Sequence, residues 1–234
     1  MHHFRAPDAR RFVSASLMIG IAFVIFGASF GVLSVSAGAS VAQSCAMSLL
    51  VFTGASQMSA VSVLASGGTV ASAFGGAVLL SGRNAVYGLA MSPVLKQGSL
   101  ASRLLGSQWV IDETTAIVSA ETDPTTRRTA FWISGAILYA SWNIGTLLGA
   151  LVGSSINPSD FGLDAAFPVM FTAMIAPHLR TSAGRKAALF GAVAAVALAP
   201  FMPIGLPILV SALGMLFGIK PTMNKQAATT DGAP

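Results

Sequence analysis

Charged side chains are scarce in this chain of 234 residues, because Asp, Glu, Lys and Arg together make up only 9% of it. A soluble domain carries about 25% charged residues, so this chain lacks the groups that cover a water-exposed surface. Three stretches contain none of these four residue types: residues 12–82, 129–159 and 187–219. Each is longer than the roughly 20 apolar residues that cross a bilayer as a helix. The composition excludes a soluble enzyme and a disordered chain, and it predicts a membrane protein with several spans.

Cysteine and the motifs of common enzymes are also nearly absent. The single cysteine, Cys45, excludes an internal disulfide, and we expect it to be a small packed side chain. The sequence has no Walker loop, catalytic triad or metal-ligand cluster, which excludes ATP-driven pumping and hydrolysis. His178 has no second ligand at a suitable spacing. We therefore expect no enzyme activity, no metal site and no cofactor.

The apolar residues fall into eight segments, which are continuous runs without the two-residue alternation of strands. We therefore predict an all-α bundle of about seven or eight transmembrane helices. The segments lie near residues 14–36, 41–65, 69–95, 104–120, 130–153, 163–179, 187–203 and 205–219. Basic residues before the first segment resemble a signal peptide, but the length of that segment favours an uncleaved helix. Residues 1–220 are interpreted as one transmembrane domain, and residues 221–234 as a disordered polar tail.

The positions of Lys and Arg predict how the chain lies in the membrane. With eight crossings and the N-terminus inside, the outside segments hold only Lys96 and Arg103, and Arg83 lies within a span. The other ten of the 13 basic residues fall inside, which predicts that both termini are cytoplasmic. The fourth segment is the least apolar. If it is re-entrant, the chain has seven crossings and the basic loop at 180–186 lies outside.

A faint internal repeat divides the chain into halves near residues 12–120 and 125–220. Two pairs of motifs occur at nearly the same separation: Gly27-x3-Gly31 before Phe52-Thr53, and Gly145-x3-Gly149 before Phe171-Thr172. Such repeats are common in secondary transporters, which place their substrate at the repeat interface. Coincidence is the alternative in a chain so rich in Gly and Ala. The number of crossings decides whether the halves are parallel or inverted.

Thr53, Gly54, Ser56 and Gln57 form the first polar interruption of an apolar segment. Gly54 weakens a helix and lets another backbone or a ligand approach closely. A local break at this point exposes backbone N–H and C=O groups, which transporters use to bind zwitterions. The alternative is a contact between small residues of two helices, with Gln57 hydrogen-bonded to a neighbour.

Arg83, Asn84 and Tyr87 form the second polar interruption, in the middle of the third segment. A charge at the bilayer centre costs at least ~2.5–3.5 kcal/mol, so the helix face that carries these three residues must turn inward. Arg83 is then either the partner of a carboxylate in the protein or a donor to an anionic group of a substrate.

Asp112 and Glu113 form the third polar interruption, in the fourth segment. Neighbouring residues of a helix point about 100° apart, so the two carboxylates have different surroundings. We expect one of them to pair with Arg83 and the other to carry a proton. The alternative is a helix end at the membrane interface, because acidic residues favour a helix N-terminus.

The order of these motifs resembles that of the AzlC family, the large subunits of bacterial branched-chain amino acid exporters. The resemblance extends from about residue 14 to 219. It rests above all on Phe52-Thr53-Gly54-Ala55-Ser56-Gln57, Arg83-x3-Tyr87-Gly88 and Asp112-Glu113. The family usually has Asn-Leu-Arg-His where this chain has Ser81-Gly82-Arg83-Asn84, so an imidazole that can relay protons is missing.

This resemblance implies a secondary transporter of the bacterial inner membrane that exports hydrophobic amino acids with the proton gradient. It also implies a small AzlD-type partner subunit of about four helices, and no nucleic acid. Arg83 and amides near Gly54 then hold the substrate carboxylate, while Asp112 or Glu113 meets its ammonium group or exchanges a proton. The alternative is a structural or regulatory membrane subunit without transport activity, in which the buried charges only fix helix packing.

Overall fold

The computed structural model describes residues 6–96, 98–155, 172, 175–176, 178–202, 206–211 and 213–214. Every regular element among these residues is a helix, so the predicted all-α class is confirmed for this part of the chain. The elements are α1 (Ala6–Ser36), α2 (Val41–Leu50), α3 (Gly54–Ala65), α4 (Val70–Leu95), α5 (Leu100–Gln108), α6 (Asp112–Ser119), α7 (Pro124–Gly153), a 3-10 turn (His178–Arg180), α8 (Ser182–Leu198) and α9 (Leu206–Ser211). Most of the sixth predicted segment, Phe171 of the predicted repeat and the tail 221–234 lie outside the described residues.

Two of these helices are long and apolar enough to cross a membrane: α1, over residues Ala9–Ser36, and α7. α4 has 26 residues, and at 1.5 Å per residue its length of about 39 Å also suffices. Its middle is less apolar because it carries Arg83 and Asn84. The first, third and fifth predicted segments are therefore single long helices in the structure.

Glycines bring α1 and α7 together along most of their lengths. Gly27 and Gly31 of α1 lie against the backbone of α7, and Gly145 and Gly149 of α7 lie against the backbone of α1. A Cβ atom at Gly31 would overlap the carbonyl oxygen of Thr146, so a larger residue would force the helices apart. The contacting residue numbers increase together, so the two helices run in the same direction. The two glycine motifs of the predicted repeat thus contact each other.

α4 runs in the opposite direction to α1 and α7. We call the end of the bundle where α1 begins the lower end, and the end where α1 finishes the upper end. Near the C-terminus of α4, Met91 shares an apolar cluster with Phe12, close to the start of α1, and with Phe131, close to the start of α7. α4 therefore descends from the upper end to the lower end.

Residues 41–65, predicted as one span, form a hairpin of two short helices, α2 and α3. α2 begins at the upper end, where Ser44 donates a hydrogen bond of 2.8 Å to the hydroxyl of Ser34. The chain turns in the middle of the bundle, where the ring centroids of Phe52 and Phe23 are 6.3 Å apart. α3 then returns to the upper end, where α4 begins. The second predicted segment therefore does not cross the bundle.

The tip of this first hairpin, residues Val51–Thr53, is the local break predicted beside Gly54. Gly54 begins α3 directly against the indole of Trp142, where a Cβ atom would lie 2.7 Å from Cη2. Gln57 then ties the two arms together, because its Nε2 donates a hydrogen bond of 3.1 Å to the carbonyl of Met47 in α2. A break among apolar helices is tolerated only where its free backbone groups find such partners within the protein.

The fourth predicted segment forms a second hairpin, made of α5 and α6. This segment is therefore re-entrant, which is the alternative considered for it because it is the least apolar of the eight. α5 begins at the lower end, where α4 finished. Its last residue, Gln108, donates a hydrogen bond of 2.6 Å to the carbonyl of Leu49, near the tip of the first hairpin. α6 returns to the lower end, where Glu121 forms an ion pair of 2.7 Å with Arg11 of α1.

The two hairpins match each other and enter the bundle from opposite ends. Ser40 caps the first helix of one hairpin, and Ser99 caps the first helix of the other. These first helices have 10 and 9 residues, and three residues form each tip. α1 with the first hairpin and α4 with the second are therefore an inverted pair, which lies within the first predicted half, residues 12–120.

The hairpins also correct the predicted positions of the basic residues. Because neither hairpin crosses the bundle, Lys96 and Arg103 lie at the lower end together with Arg10. The prediction that Lys96 and Arg103 face the side opposite to the N-terminus is therefore wrong in the structure. The turns at the upper end, residues 37–40 and 66–69, carry no charged residue.

Candidate functional site

The tips of the two hairpins and the middle of α1, α4 and α7 enclose a cavity of about 240 Å³, which we call the inner cavity. It is smaller than the pockets of ~300–1,000 Å³ that hold drug-sized ligands. Six of the nine predicted site residues line it: Thr53, Gly54, Arg83, Asn84, Asp112 and Glu113. These residues are far apart in the sequence, and they meet because both hairpins turn in mid-bundle.

Ser56, Gln57 and Tyr87, the other three predicted site residues, do not line the inner cavity. The hydroxyl of Ser56 is buried and lies 2.9 Å from the hydroxyls of both Thr53 and Ser81. Gln57 is fully buried and holds the arms of the first hairpin together. Tyr87 packs against the apolar cluster in the lower half of the bundle. These three side chains fix the positions of α3 and α4, which is the packing alternative considered for Gln57.

Arg83 and Asp112 form an ion pair at the wall of the inner cavity, with Nη1 of Arg83 3.4 Å from Oδ2 of Asp112. This distance is longer than the roughly 2.7–2.9 Å of a tight charge-assisted hydrogen bond. The two side chains are 36% and 40% exposed, so a molecule in the cavity can reach both of them. Glu113 lines the same cavity and forms no ion pair with any described residue. Of the two neighbouring acids, Asp112 is thus the partner of Arg83.

Two helices begin at the inner cavity without a side-chain cap. α3 follows Thr53 and α6 follows Ile111, and neither side chain accepts a hydrogen bond from the first turn of its helix. The first N–H groups of a helix have no partner inside the helix and together carry about half a positive charge. The cavity therefore receives the N-termini of two helices and the guanidinium of Arg83, while Asp112 and Glu113 lie in the first turn of α6 and offset its positive end. Helix N-termini of this kind bind anions.

Two N–H donors on residues that line the inner cavity are buried without a hydrogen-bond partner among the described residues: Nε of Arg83 and Nε1 of Trp142. Trp142 is only 5% exposed, so water does not easily reach its indole. Leaving a buried donor unpaired costs roughly 1–3 kcal/mol, and most buried donors are paired. Both atoms are shielded from the open space of the cavity in this conformation, so a ligand carboxylate would accept their hydrogen bonds only after a shift of the surrounding side chains.

The rest of the inner cavity is apolar and largely aromatic. Its further lining residues are Ile19, Ala22, Phe23, Phe26, Phe52, Ala55, Ile111 and Trp142. The rings of Phe23 and Trp142 meet edge to face, with 5.9 Å between their centroids. Sequence reasoning missed these residues, because an apolar side chain beside a cavity has the same pattern as one in a packed core.

A second cavity, of about 560 Å³, lies between α4, α5 and the tip of the first hairpin, and we call it the outer cavity. It shares Phe52, Thr53 and Asn84 with the inner cavity, so the two cavities adjoin. Its far side lies at the lower end of the bundle, where Lys96 and Arg103 line it. The outer cavity thus connects the region of the inner cavity with the lower end.

Apolar packing fills the described bundle on the upper side of the inner cavity. Phe30, Leu33, Met58 and Val61 are buried there in the same cluster as Phe52. Above them, the hydrogen bond between Ser44 and Ser34 holds α2 against α1. Among the described residues, the outer cavity therefore reaches the lower end, whereas packed side chains separate the inner cavity from the upper end.

The sequence matches a family model and several curated proteins. The model of the AzlC protein family matches residues 18–156, which is more than half of the chain. The inner membrane protein YgaZ of Escherichia coli strain K12 is 28% identical over 206 residues, covering 82% of this chain and 84% of that protein. An uncharacterized membrane protein of Helicobacter pylori is 25% identical over 199 residues, covering 84% of this chain and 86% of that protein. No solved structure matches the chain. As its motifs predicted, the chain belongs to the AzlC family and is a membrane protein.

Proposed function

We propose that this chain is the transporting subunit of a secondary transporter that exports branched-chain or other hydrophobic amino acids across the bacterial cytoplasmic membrane. The observation that carries the proposal is the inner cavity, which combines unpaired N–H donors, two carboxylates and an aromatic wall. A hydrophobic α-amino acid presents the complementary groups, namely a carboxylate, an ammonium group and an apolar side chain. Its size also suits a cavity of about 240 Å³.

Arg83 and the first turns of α3 and α6 bind the substrate carboxylate in this proposal. Broken helices of other transporters present their N-termini to anionic substrate groups in the same way. Trp142 adds a donor without adding charge once a side-chain shift exposes its Nε1, which is unpaired and buried in the conformation described. Phe23, Phe26 and Phe52 then surround the apolar side chain of the substrate.

Asp112 and Glu113 serve the ammonium group and the coupling ion in this proposal. The contact between Arg83 and Asp112 is long, at 3.4 Å, so Asp112 can turn to the ammonium group when the carboxylate engages Arg83. Glu113 is the proposed proton carrier, since it lines the cavity without an ion-pair partner in the described chain.

The lower end faces the cytoplasm in this proposal. The described basic residues that flank α1, α4, α5 and α7 all lie there: Arg10, Arg11, Lys96, Arg103, Arg127 and Arg128. Such an excess of Lys and Arg is typical of the cytoplasmic side. An exporter collects its substrate from the cytoplasm, and the outer cavity opens on that side. A small AzlD-type subunit of about four helices completes the transporter, as the family resemblance implies.

Alternating access follows from the inverted pair of hairpins, because inverted repeats allow two opposite conformations of similar energy. In the conformation described, the gap between α4 and the second hairpin is open and the gap between α1 and the first hairpin is closed. Release at the upper end requires the reverse, with the hydrogen bond between Ser34 and Ser44 broken.

Exchange of labelled leucine tests the proposal in proteoliposomes that contain the full chain with its small partner subunit. We expect exchange by the wild type and a loss of about ten- to hundredfold for Arg83→Gln, since hydrogen bonds to charged groups contribute roughly 1.5–3 kcal/mol. The matched control is Arg10→Gln, which removes an exposed charge that lines neither cavity. No exchange by the wild-type complex would contradict the proposal, as would normal exchange by folded Arg83→Gln.

The same assay separates the transporter from the structural alternative when Arg83→Gln is combined with Asp112→Asn. The double variant replaces the ion pair with a neutral pair of similar size. If the ion pair only fixes helix packing, as in the structural alternative, folding and any activity should be unchanged. The proposal expects the double variant to fold and to lose leucine exchange. Folding is checked by the thermal unfolding of each purified complex.

A further inference from the structure

The outer cavity has a polar lining that the proposed function does not use. Besides Lys96 and Arg103, the polar side chains of its wall are Thr53, Asn84, Ser92, Ser107 and Gln108. No Asp or Glu lines it, whereas the inner cavity has two acids. Neither Lys96 nor Arg103 forms an ion pair with a described residue. The outer cavity therefore presents positive charge that the described chain does not neutralise.

The remaining wall of the outer cavity is apolar. Its apolar side chains come from the end of α2, from α4 and α5, and from the two hairpin tips, and they include Leu50, Val51, Leu95, Leu104 and Val110. At about 560 Å³ it has more than twice the volume of the inner cavity, at about 240 Å³. A wall that is cationic at one end and mostly apolar elsewhere suits a small molecule with a carboxylate and an apolar part.

The outer cavity reaches the lower end of the described bundle. Thr53 and Asn84 line both cavities, so a molecule in the outer cavity is one step from the inner one. One helical turn beyond Asn84, Gly88 lines the outer cavity with empty space in front of it, because an added Cβ atom would meet nothing within 4 Å. Lys96 and Arg103 lie beyond Gly88, towards the lower end.

We propose that the outer cavity is a second binding site for the amino-acid substrate, which Lys96 and Arg103 hold by its carboxylate before it passes Asn84. This inference rests on the proposed function and adds a site that fills from the lower end only. Exposed cations bind a carboxylate weakly, but a charged cleft raises the local concentration of an oppositely charged ligand and its association rate. The site therefore lowers KM for substrate that arrives from the lower end.

The first experiment measures KM for labelled leucine in vesicles of both orientations, with the full chain and its partner subunit. We expect the double variant Lys96→Gln/Arg103→Gln to raise KM about five- to tenfold when the lower end faces the bath, and to leave KM from the other side unchanged. Added salt should shrink this difference, because both cations are exposed. Arg10→Gln is again the matched control, since Arg10 is exposed and lines neither cavity.

A second pair of variants tests the site without changing charge. Gly88→Met places a side chain into the outer cavity, whereas Gly82→Met places one on an exposed face of the same helix. Neither added Cβ atom meets another atom within 4 Å, so both variants should fold. We expect Gly88→Met to slow leucine exchange about tenfold or more and Gly82→Met to leave it unchanged.

The outcomes distinguish this inference from the proposed function. If the wild-type complex exchanges leucine but KM of the charge variant matches wild type from both sides, the outer site is refuted and the transporter stands. If the KM difference appears only in vesicles with anionic lipid, Lys96 and Arg103 bind lipid phosphate, and the outer site is also refuted. Equal rates for Gly88→Met and Gly82→Met refute it as well. A wild-type complex without exchange overturns both proposals.

Discussion

At the scale of single residues, Gly54 sets the shape of the inner cavity. The first turn of α3 lies so close to Trp142 that a Cβ atom at position 54 would be 2.7 Å from the indole. The indole cannot move freely, because it packs between Phe23 and Phe30. Glycine therefore allows the N-terminus of α3 to lie directly against the indole at the wall of the inner cavity.

Gly54→Ala should therefore weaken substrate binding. The added methyl group displaces the indole from the cavity wall, and we expect KM for leucine to rise about tenfold, in line with the cost of overpacking a tight contact. Gly82→Ala is the control, because a Cβ atom at Gly82 meets nothing within 4 Å. An unchanged KM for Gly54→Ala, measured by leucine exchange, would show that this close approach does not shape the site.

The polar residues of the site were predictable as a group, but their individual roles were not. Arg83 and Asp112 are costly in an apolar segment, and that cost pointed to their pairing at a cavity. Gln57 is equally polar and was predicted for the same reason. Its amide instead holds the first hairpin together through Met47, a contact that depends on the turn of the chain and not on local sequence.

At the scale of elements, the two hairpins decide the topology. Hydropathy predicted the second segment as one span because an apolar hairpin and an apolar span have the same composition. The hairpin is distinguished from a span only by tertiary hydrogen bonds. One runs from Gln57 to the carbonyl of Met47, and the other runs from Gln108 to the carbonyl of Leu49 and joins the two tips. The fourth segment was also counted as a crossing, but Asp112 and Glu113 made a full crossing costly, so a re-entrant form was considered as its alternative.

The hairpin topology and a topology of eight crossings place different residues on the same side of the membrane, and cysteine labelling distinguishes the two. Single cysteines are introduced at three exposed positions, as Arg10→Cys, Ser66→Cys and Arg103→Cys, in a chain that carries Cys45→Ser. A membrane-impermeant thiol reagent should label positions 10 and 103 from one side and position 66 from the other, in closed vesicles. Labelling of positions 10 and 66 from the same side, with position 103 opposite, would mean that each hairpin is a complete span.

At the scale of the whole molecule, three long helices hold the hairpins so that their tips meet in mid-bundle. The glycines of α1 and α7 were noticed in the sequence as a repeated motif, but the sequence alone did not show that the two motifs contact each other. The inverted pair of hairpins was not visible either, because the two short tips, Trp109–Ile111 and Val51–Thr53, share little sequence. Function depends on this meeting of the tips, since no single segment supplies both Arg83 and the two helix N-termini.

The most direct test is an experimental structure of the complex determined in the presence of leucine. We expect density for the amino acid in the inner cavity, with its carboxylate at Arg83 and at the first turns of α3 and α6, and with its side chain against Phe23 and Trp142. Leucine bound elsewhere in a well-resolved bundle, with Arg83 still paired only to Asp112, would contradict the assignment of the inner cavity as the transport site.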